Sequence, residues 1–228
     1  MVPPAGTTPA EPHGPASPAP EPADSPELCG GWVVVVPLKG AAVGKSRLQG
    51  DEDLVRAIGL DTVEAASAAA SVSRVVVVTG DRATAAAAAA LPGVEIVTEA
   101  DPRGLNAAIA LGVAAAADAP RAALLGDLPA LRPADLDAAL RAAASVDRAV
   151  AADGDGTGST LVTARAGVAW ASAFGAESFD RHVALGCVPL ELPADSRLRH
   201  DVDTAAQLAV AQTLGLGPRT TALLPPAG

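Results

Sequence analysis

Apolar and polar positions alternate in two patterns from residue 32 onward, and together they predict the secondary structure. Short β-branched apolar runs indicate β-strands. The strands are predicted near residues 32–37, 73–79, 94–98, 121–126, 147–151 and 159–163. Amphipathic stretches of helical period indicate helices near residues 51–71, 82–91, 104–117, 133–144 and 204–214. Asp51, Asp81 and Asp203 are predicted as N-caps, and Pro133 as a first helical residue.

Two continuous runs of four valines, residues 33–36 and 75–78, predict the type of sheet. Strands without a polar face are typical of the centre of a parallel sheet that is covered by helices on both sides. The alternation of strands and helices therefore predicts an α/β fold, a doubly wound and mostly parallel sheet in a single domain over residues 28–216. Ligands of such sheets bind beyond the carboxyl ends of the strands.

The two ends of the chain differ from this pattern. Residues 1–27 are rich in Pro, Ala and acidic residues, which predicts a disordered tail. Residues 217–228 are expected to form a flexible C-terminal tail. The beginning of the chain lacks the basic and then apolar pattern of a signal peptide, and no run of about eighteen apolar residues occurs. We therefore expect a cytoplasmic protein with no membrane partner.

Composition narrows the classes of partner. A formal net charge of −10, with only two Trp, two Phe and no Tyr, disfavours nucleic acid. Fourteen arginines accompany only two lysines, Lys39 and Lys45, and both lysines follow the first strand. A compact ammonium group suits a point contact to phosphate. Their position indicates a phosphate-binding loop, and chance placement is the alternative.

The loop "VPLKGAAVGKSRL" is not a P-loop. A Walker A motif has four residues between its first glycine and Gly-Lys, whereas three separate Gly40 from Gly44. A dinucleotide-binding G-x-G-x-x-G pattern is also missing after the strand. Lys39, Lys45 and Arg47 remain candidates for a triphosphate, together with the amide of Ser46. A salt bridge that tethers the loop is the alternative for Arg47.

Carboxylates in two places predict a metal site. Asp127 directly follows a predicted strand, and Asp201 and Asp203 are two residues apart, so they point the same way in an extended segment. Hard carboxylate oxygens suit Mg²⁺ that bridges phosphates. The structural alternatives are a turn for Asp127 and a helix cap for Asp203.

Other polar residues are assigned to the fold. Asp153 and Asp155 are flanked by Gly154, Gly156 and Gly158 and are predicted as turn residues, and His182 is predicted as a residue on a helix face. His200 could tune the neighbouring Asp201.

The loop resembles the signature loop of the MobA-like nucleotidyltransferases, and most closely that of the 2-phospho-L-lactate or phosphoenolpyruvate guanylyltransferases. Five further stretches follow in the family's order: "DPRGLNAAI", "LLGDLPALRPADL", "DGDGTGSTLV", "FGAESFDRHVALG" and "DVDTAAQL". The resemblance covers about residues 32–214. The chain departs from it at Ala205-Ala206-Gln207, where relatives often have Pro-Glu-Asp, and in the Gly-Ala-Ala-Val segment before Gly44.

The resemblance implies a Rossmann-like fold of the nucleotide-diphospho-sugar transferase type and a role in coenzyme F420 biosynthesis. The substrates would be GTP and a small phosphorylated three-carbon acid, and the product would pass to the transferase that uses it. An Ala- and Arg-rich, Lys-poor composition hints at a high-GC actinobacterial source and so favours phosphoenolpyruvate over 2-phospholactate. The alternatives are a sugar-phosphate or molybdopterin nucleotidyltransferase, or a non-catalytic nucleotide-binding regulatory domain.

The resemblance also implies roles for individual residues. Leu38, Lys39, Lys45, Ser46, Gly104 and Asn106 would bind the nucleotide, with Asn106 at the base or ribose unless it is structural. Lys39, Lys45, Arg47 and Asp127 would be catalytic. Thr160, Gly175 and Ser178 would hold the carboxylate of the acid, largely through backbone amides, where a short helix begins.

Overall fold

The computed structural model describes residues 31–38, 52–116 and 118–225, together with Met1. The strands are β1 (Trp32–Pro37), β2 (Val72–Thr79), β3 (Val94–Thr98), β4 (Arg121–Leu124), β5 (Arg148–Ala152), β6 (Ser159–Ala164) and β7 (Val188–Pro189). The helices are α1 (Glu52–Ser67), α2 (Arg82–Ala89), α3 (Leu105–Ala114), α4 (Pro133–Ala143), α5 (Ser178–Ala184), α6 (Ala205–Leu214) and α7 (Pro218–Leu223). A 3₁₀ turn covers Arg197–Arg199.

The strands form one seven-stranded sheet with the order β3-β2-β1-β4-β6-β5-β7. β6 runs antiparallel to β4 and β5, and the other neighbouring pairs are parallel. The predicted α/β class and the mostly parallel sheet are confirmed. Because β6 reverses direction, its first residues lie at the same edge of the sheet as the carboxyl ends of β1, β4 and β5.

The core is divided between the two faces of the sheet, as the valine runs predict. Val34 and Val36 pack in a cluster with residues of α1 and α4, whereas Val33 and Val35 pack in a second cluster with residues of α3. Gly112 of α3 lies so close to the sheet that a Cβ atom there would be 2.4 Å from the side chain of Val35. The small residue therefore lets α3 approach the sheet closely.

Two predicted helix starts are confirmed and one is wrong. Asp81 caps α2 by accepting a hydrogen bond from the Thr84 amide at 2.7 Å, and Pro133 begins α4. Asp203 does not cap α6, because Thr204 does so instead, accepting from the Gln207 amide at 3.2 Å. The Gln207 side chain accepts in return from the Thr204 hydroxyl and the Asp203 amide, which is a variant of the capping box.

The C-terminal segment is ordered farther than predicted. Residues 218–223, expected to be part of a flexible tail, form α7, which packs against α1. Buried Asp61 of α1 accepts hydrogen bonds from the amides of Arg219 at 3.1 Å and Thr220 at 2.8 Å. A carboxylate from α1 thus satisfies the first amides of α7, a long-range contact that the local sequence does not reveal.

Several predicted features lie outside the described residues, namely the tail over residues 1–27, the cap at Asp51 and the loop over residues 39–50. The helix predicted over residues 51–71 extends beyond the observed α1, which ends at Ser67. Among the helices of the described ranges, none is long and apolar enough to cross a membrane.

Candidate active site

A cleft of about 690 Å³ opens at the edge of the sheet where β1, β4 and β5 end and β6 begins. This is the place at which doubly wound sheets bind ligands. Its lining includes six residues that the sequence predicts for the site. They are Leu38, Asp127, Gly175, Ser178, Asp201 and Asp203.

The chain reaches the cleft from β1 through Leu38, whose buried side chain packs between two glycines. A Cβ atom added to Gly126 would be 2.4 Å from Leu38 Cδ2, and one added to Gly59 would be 2.8 Å from it. The Leu38 amide donates to the carbonyl of Val78 at 2.9 Å. The predicted phosphate-binding residues Lys39, Lys45, Ser46 and Arg47 follow directly and lie outside the described residues.

Four carboxylates of the cleft lining form a group that we call the acidic wall: Asp127, Asp153, Asp201 and Asp203. The Val202 amide donates to the Asp127 carbonyl at 2.9 Å, which brings the two predicted acidic segments together. Val202 itself is buried in a small apolar cluster, so Asp201 and Asp203 on either side of it both line the cleft.

Burial and neighbouring negative charge both act on Asp201. Burial is the main cause that raises the pKa of Asp201 to about 6, and the charges of Asp153, Asp203 and Asp155 raise it further, while a backbone hydrogen bond opposes the shift. The adjacent His200, predicted as a group that could tune Asp201, is not among these causes. The acidic wall therefore stabilises the binding of positive charge.

The acidic wall is not a closed metal cage. Within the described ranges, no three acidic, His or Cys side chains converge closely enough to hold a metal ion by themselves. Of the described residues that line the cleft, Arg56 is the one cation, and it pairs with Asp53 at 2.8 Å. Hard oxygens with open geometry fit a cation that is shared with substrate phosphates, as Mg²⁺ commonly is.

Asp153 performs the predicted turn function and also belongs to the acidic wall, which sequence reasoning missed. Its carboxylate accepts from the amides of Thr157 at 3.1 Å and Gly158 at 2.8 Å. A side chain on Gly158 would collide with it, since an added Cβ would be 2.2 Å from Asp153 Oδ2. The Gly-Thr-Gly motif that follows Asp153 is the sequence feature that could have indicated its place in the cleft.

Four uncharged residues of the lining form a second group, which we call the neutral wall: Ser159, Phe174, Gly175 and Ser178. Gly175 has φ +127°, which favours glycine. Asn106 of α3 holds the neighbouring Phe174, because its amide nitrogen donates to the Phe174 carbonyl at 3.0 Å and its oxygen accepts from the Phe174 amide at 2.9 Å. Both ends of the Asn106 amide are therefore used inside the protein.

Three residues of the predicted nucleotide and acid sites do not line the cleft. Gly104 is the N-cap of α3 with φ 99°, and Asn106 is turned toward Phe174, whereas Leu105 between them does line the cleft. Thr160 is fully buried in β6, and its carbonyl accepts from the Leu125 amide at 2.9 Å. The preceding residue, Ser159, reaches the cleft instead.

His182 lies behind the neutral wall. It is fully buried on the inner face of α5, which confirms its prediction as a residue on a helix face. Its ring meets that of Phe174 edge to face, with centroids 4.8 Å apart and an interplanar angle of 69°.

Comparisons with known proteins identify the family of the chain. The family model of the MobA-like NTP transferase domain matches residues 46–183. A phosphoenolpyruvate guanylyltransferase of Sanguibacter keddieii is 45% identical over 238 residues, covering 85% of this chain and 84% of the relative. The protein of the same name from Streptomyces coelicolor is 46% identical over 202 residues, covering 84% and 95%.

Solved structures show the same fold at lower identity. A nucleotidyl transferase from Methanothermobacter superposes with a TM-score of 0.57 at 20% identity, over 80% of this chain and 97% of that one. Fold, cleft and sequence relatives thus agree, and the chain belongs to the MobA-like NTP transferase family, within which its sequence groups it with the phosphoenolpyruvate guanylyltransferases.

Proposed function

We propose that the protein is a guanylyltransferase that transfers GMP from GTP to phosphoenolpyruvate and releases pyrophosphate. The observation that carries the proposal is the relationship to proteins of that name at 45% and 46% identity over most of both chains. The matches cover 85% and 84% of this chain.

The reaction is a displacement at phosphorus. An oxygen of the substrate phosphate forms a bond to the α-phosphorus of GTP, and the bond from that phosphorus to the bridging oxygen of the β-phosphate breaks. Pyrophosphate leaves, and the product is a guanosine diphospho-acid. Because both reactants are anions, catalysis consists mainly of neutralising their charge and aligning the attack.

Charge balance in the cleft supports the use of a divalent metal ion, which is typical of this class of enzyme. Five carboxylates line the cleft, the acidic wall and Glu177, against the paired Arg56 among the described residues. Asp127, Asp201 and Asp203 would hold Mg²⁺, which would supply charge neutralisation at the phosphates when bound. The raised pKa of Asp201 fits such a site, because a bound cation favours the ionised carboxylate.

The basic loop would supply the remaining positive charge. Leu38 lines the cleft directly before Lys39, so the loop begins at the cleft. Lys39, Lys45 and Arg47 would contact the triphosphate, with amide hydrogen bonds at Ser46. Gly104 and Asn106 would act near the nucleotide through the position of α3, since Leu105 between them lines the cleft.

The neutral wall would receive the acid substrate. Gly175 and Ser178 line the cleft and would hold the carboxylate, with Thr160 acting through its backbone. The activated product would pass to the transferase that uses it in coenzyme F420 biosynthesis, in the cytoplasm. The pathway is the one that the family resemblance implies.

A substrate matrix tests the function. Pyrophosphate release would be measured for GTP, ATP, CTP and UTP against phosphoenolpyruvate, 2-phospholactate, 3-phosphoglycerate and a hexose 1-phosphate, with Mg²⁺ and with EDTA. We expect the highest kcat/KM for GTP with phosphoenolpyruvate, and none in EDTA. Preference for the sugar phosphate, or binding of GTP without pyrophosphate release with any acceptor, would contradict the proposal.

A further inference from the structure

A buried hydrogen-bond chain connects His182 to the cleft. The Ala173 amide donates to His182 Nε2 at 2.8 Å, and Ser159 Oγ lies 3.0 Å from His182 Nδ1. His182 and Ser159 are both buried, at 0% and 3% exposure, yet Ser159 also lines the cleft. The chain of contacts therefore extends from the Ala173 amide, through the His182 ring, to Ser159, a residue of the cleft lining.

Donor and acceptor roles determine the tautomer of His182. A backbone amide can only donate, so Nε2 must be the unprotonated nitrogen. Burial, together with the charge of Arg181, lowers the pKa of His182 to about 4, against a weaker effect of a hydrogen bond to the Ser178 backbone. The ring is thus neutral near pH 7, and its single proton is on Nδ1.

The Nδ1 proton fixes the orientation of the Ser159 hydroxyl. Nδ1 carries the single ring proton, which faces both Ser159 Oγ and the Ser178 backbone, so the Ser159 hydroxyl cannot donate to Nδ1 and its own proton is left to be donated elsewhere. No second hydrogen bond of this hydroxyl occurs among the residues that the structure describes. The same tautomer excludes a nucleophile–base pair, because Nδ1 already carries a proton and cannot take one from Ser159.

We propose that Ser159 donates a hydrogen bond to an anionic oxygen of the acid substrate, and that His182 is the positioning residue that directs this hydroxyl into the cleft. The inference depends on the proposed function, because it concerns the acid that the neutral wall receives. Ser159 lines the cleft together with Gly175 and Ser178, so it adds a third residue to the two that the sequence indicates for the acid.

His182 has a second effect on the same wall. Its bond to the Ala173 amide and its edge-to-face contact with Phe174 hold the backbone that leads into Gly175. Asn106 holds Phe174 from the side of α3 through two hydrogen bonds. One imidazole therefore positions both the Ser159 hydroxyl and the Gly175 segment.

Kinetics of single variants test the role of Ser159. With the full chain, Ser159→Ala should raise the KM for phosphoenolpyruvate about tenfold, the usual cost of losing a hydrogen bond to a charged oxygen, and leave the KM for GTP nearly unchanged. Ser73→Ala is the matched control, because its hydroxyl bonds the carbonyls of Gly31 and Trp32 at the opposite end of the strands. An unchanged KM for phosphoenolpyruvate in Ser159→Ala overturns the proposal, as does an equal rise for both substrates.

Two substitutions separate the functions of His182. His182→Asn keeps a donor near the position of Nδ1, whereas His182→Gln places an amide nearer to that of Nε2. We expect the His182→Asn variant to have a KM for phosphoenolpyruvate closer to that of the wild type. In a double variant with Ser159→Ala, His182→Gln should add little to the rise in KM that Ser159→Ala causes alone. His182 variants that only lower the melting temperature, with both KM values unchanged, would overturn the positioning role.

Parallel assays of the wild type distinguish this inference from the function on which it depends. No pyrophosphate release by the wild type with any acid overturns both. Wild-type turnover together with a normal KM in Ser159→Ala overturns the role of Ser159 alone. If the His182 variants fail to fold, the Ser159→Ala and Ser73→Ala pair still decides the question.

Discussion

The two walls of the cleft are held in place by different means. The acidic wall depends on main-chain contacts, such as the bond from the Val202 amide to the Asp127 carbonyl, and it leaves its carboxylates crowded. The neutral wall depends on side-chain hydrogen bonds, since Asn106 and His182 both bind the backbone around Phe174. One wall is thus rich in charge, and the other is rich in internal hydrogen bonds.

This difference indicates how the two ligands are bound. Repulsion between crowded carboxylates destabilises the metal-free protein, and a bound cation relieves it. Binding of metal and of triphosphate should therefore be strongly coupled. Side-chain hydrogen bonds fix the neutral wall before substrate binds, which lowers the ordering cost of binding the acid. Substitutions in the first wall should therefore affect turnover, and those in the second wall should affect the KM for the acid.

The largest effect is expected in the acidic wall. Asp127→Asn and Asp201→Asn keep shape but remove charge, and each should lower kcat/KM about a hundredfold or more at ordinary Mg²⁺. Pyrophosphate release is the measurement. Asp180→Asn, an exposed change of the same charge on α5, should leave turnover near wild type. Wild-type, Mg²⁺-dependent turnover in both cleft variants would leave only structural roles for these carboxylates.

Loss of Asn106 should act on the other wall. Asn106→Ala removes two hydrogen bonds to Phe174, at about 1 kcal/mol each, and should lower the melting temperature by roughly 4–8 °C. The KM for phosphoenolpyruvate should rise by about tenfold or less, more than that for GTP. Gln212→Ala, an exposed amide on α6, is the control. A rise confined to GTP would instead support the contact to base or ribose that the family resemblance implies.

The charge of the acidic wall should also appear in the pH dependence of stability. The pKa of Asp201 is raised from 3.8 to about 6, so its contribution to stability is present below about pH 4 and is lost as pH rises through 6. Asp201→Asn cannot ionise and should therefore raise the melting temperature of the metal-free protein near pH 8, with the gain vanishing near pH 4. Thermal denaturation in EDTA measures this, and a gain independent of pH would be inconsistent with the shift.

The smallest expected effect is on the free energy of unfolding, and it distinguishes Asp203 from Thr204. Thr204→Ala removes the cap of α6 and should cost about 1 kcal/mol of unfolding free energy. Asp203→Ala should cost less, since its carboxylate is not the cap, while it should still reduce turnover. Chemical denaturation of both variants compares them. A larger loss of stability in Asp203→Ala than in Thr204→Ala would instead support Asp203 as the cap of α6, as the sequence predicts.

Much of the fold is visible in the sequence because it is local. The valine runs predict central strands, and Asp81 and Pro133 mark helix starts through contacts within one turn. The cap of α6 was misassigned because Asp203 and Thr204 are both good capping residues, and only backbone geometry decides between them. The order of α7 depends on Asp61, which lies more than 150 residues earlier in the chain.

The residues of the candidate site also divide into those that the sequence reveals and those that only the fold brings together. Strand-end Asp127, the Asp201–Asp203 pair and the Gly175–Ser178 segment are recognisable from sequence, because each follows a local pattern or a family motif. Asp153 enters the cleft because β5 ends at the same edge as β4, and Ser159 enters it because antiparallel β6 begins there, and both positions depend on the strand order of the sheet. Likewise, the neutral state of His182 follows from burial and from the Ala173 amide, neither of which a single sequence specifies. The sequence by itself determined the class of fold and the chemistry of the motifs, since these depend on neighbouring residues. Tertiary structure alone decided which side chains share the cleft and which ones hold its walls, because those contacts join segments that are distant along the chain.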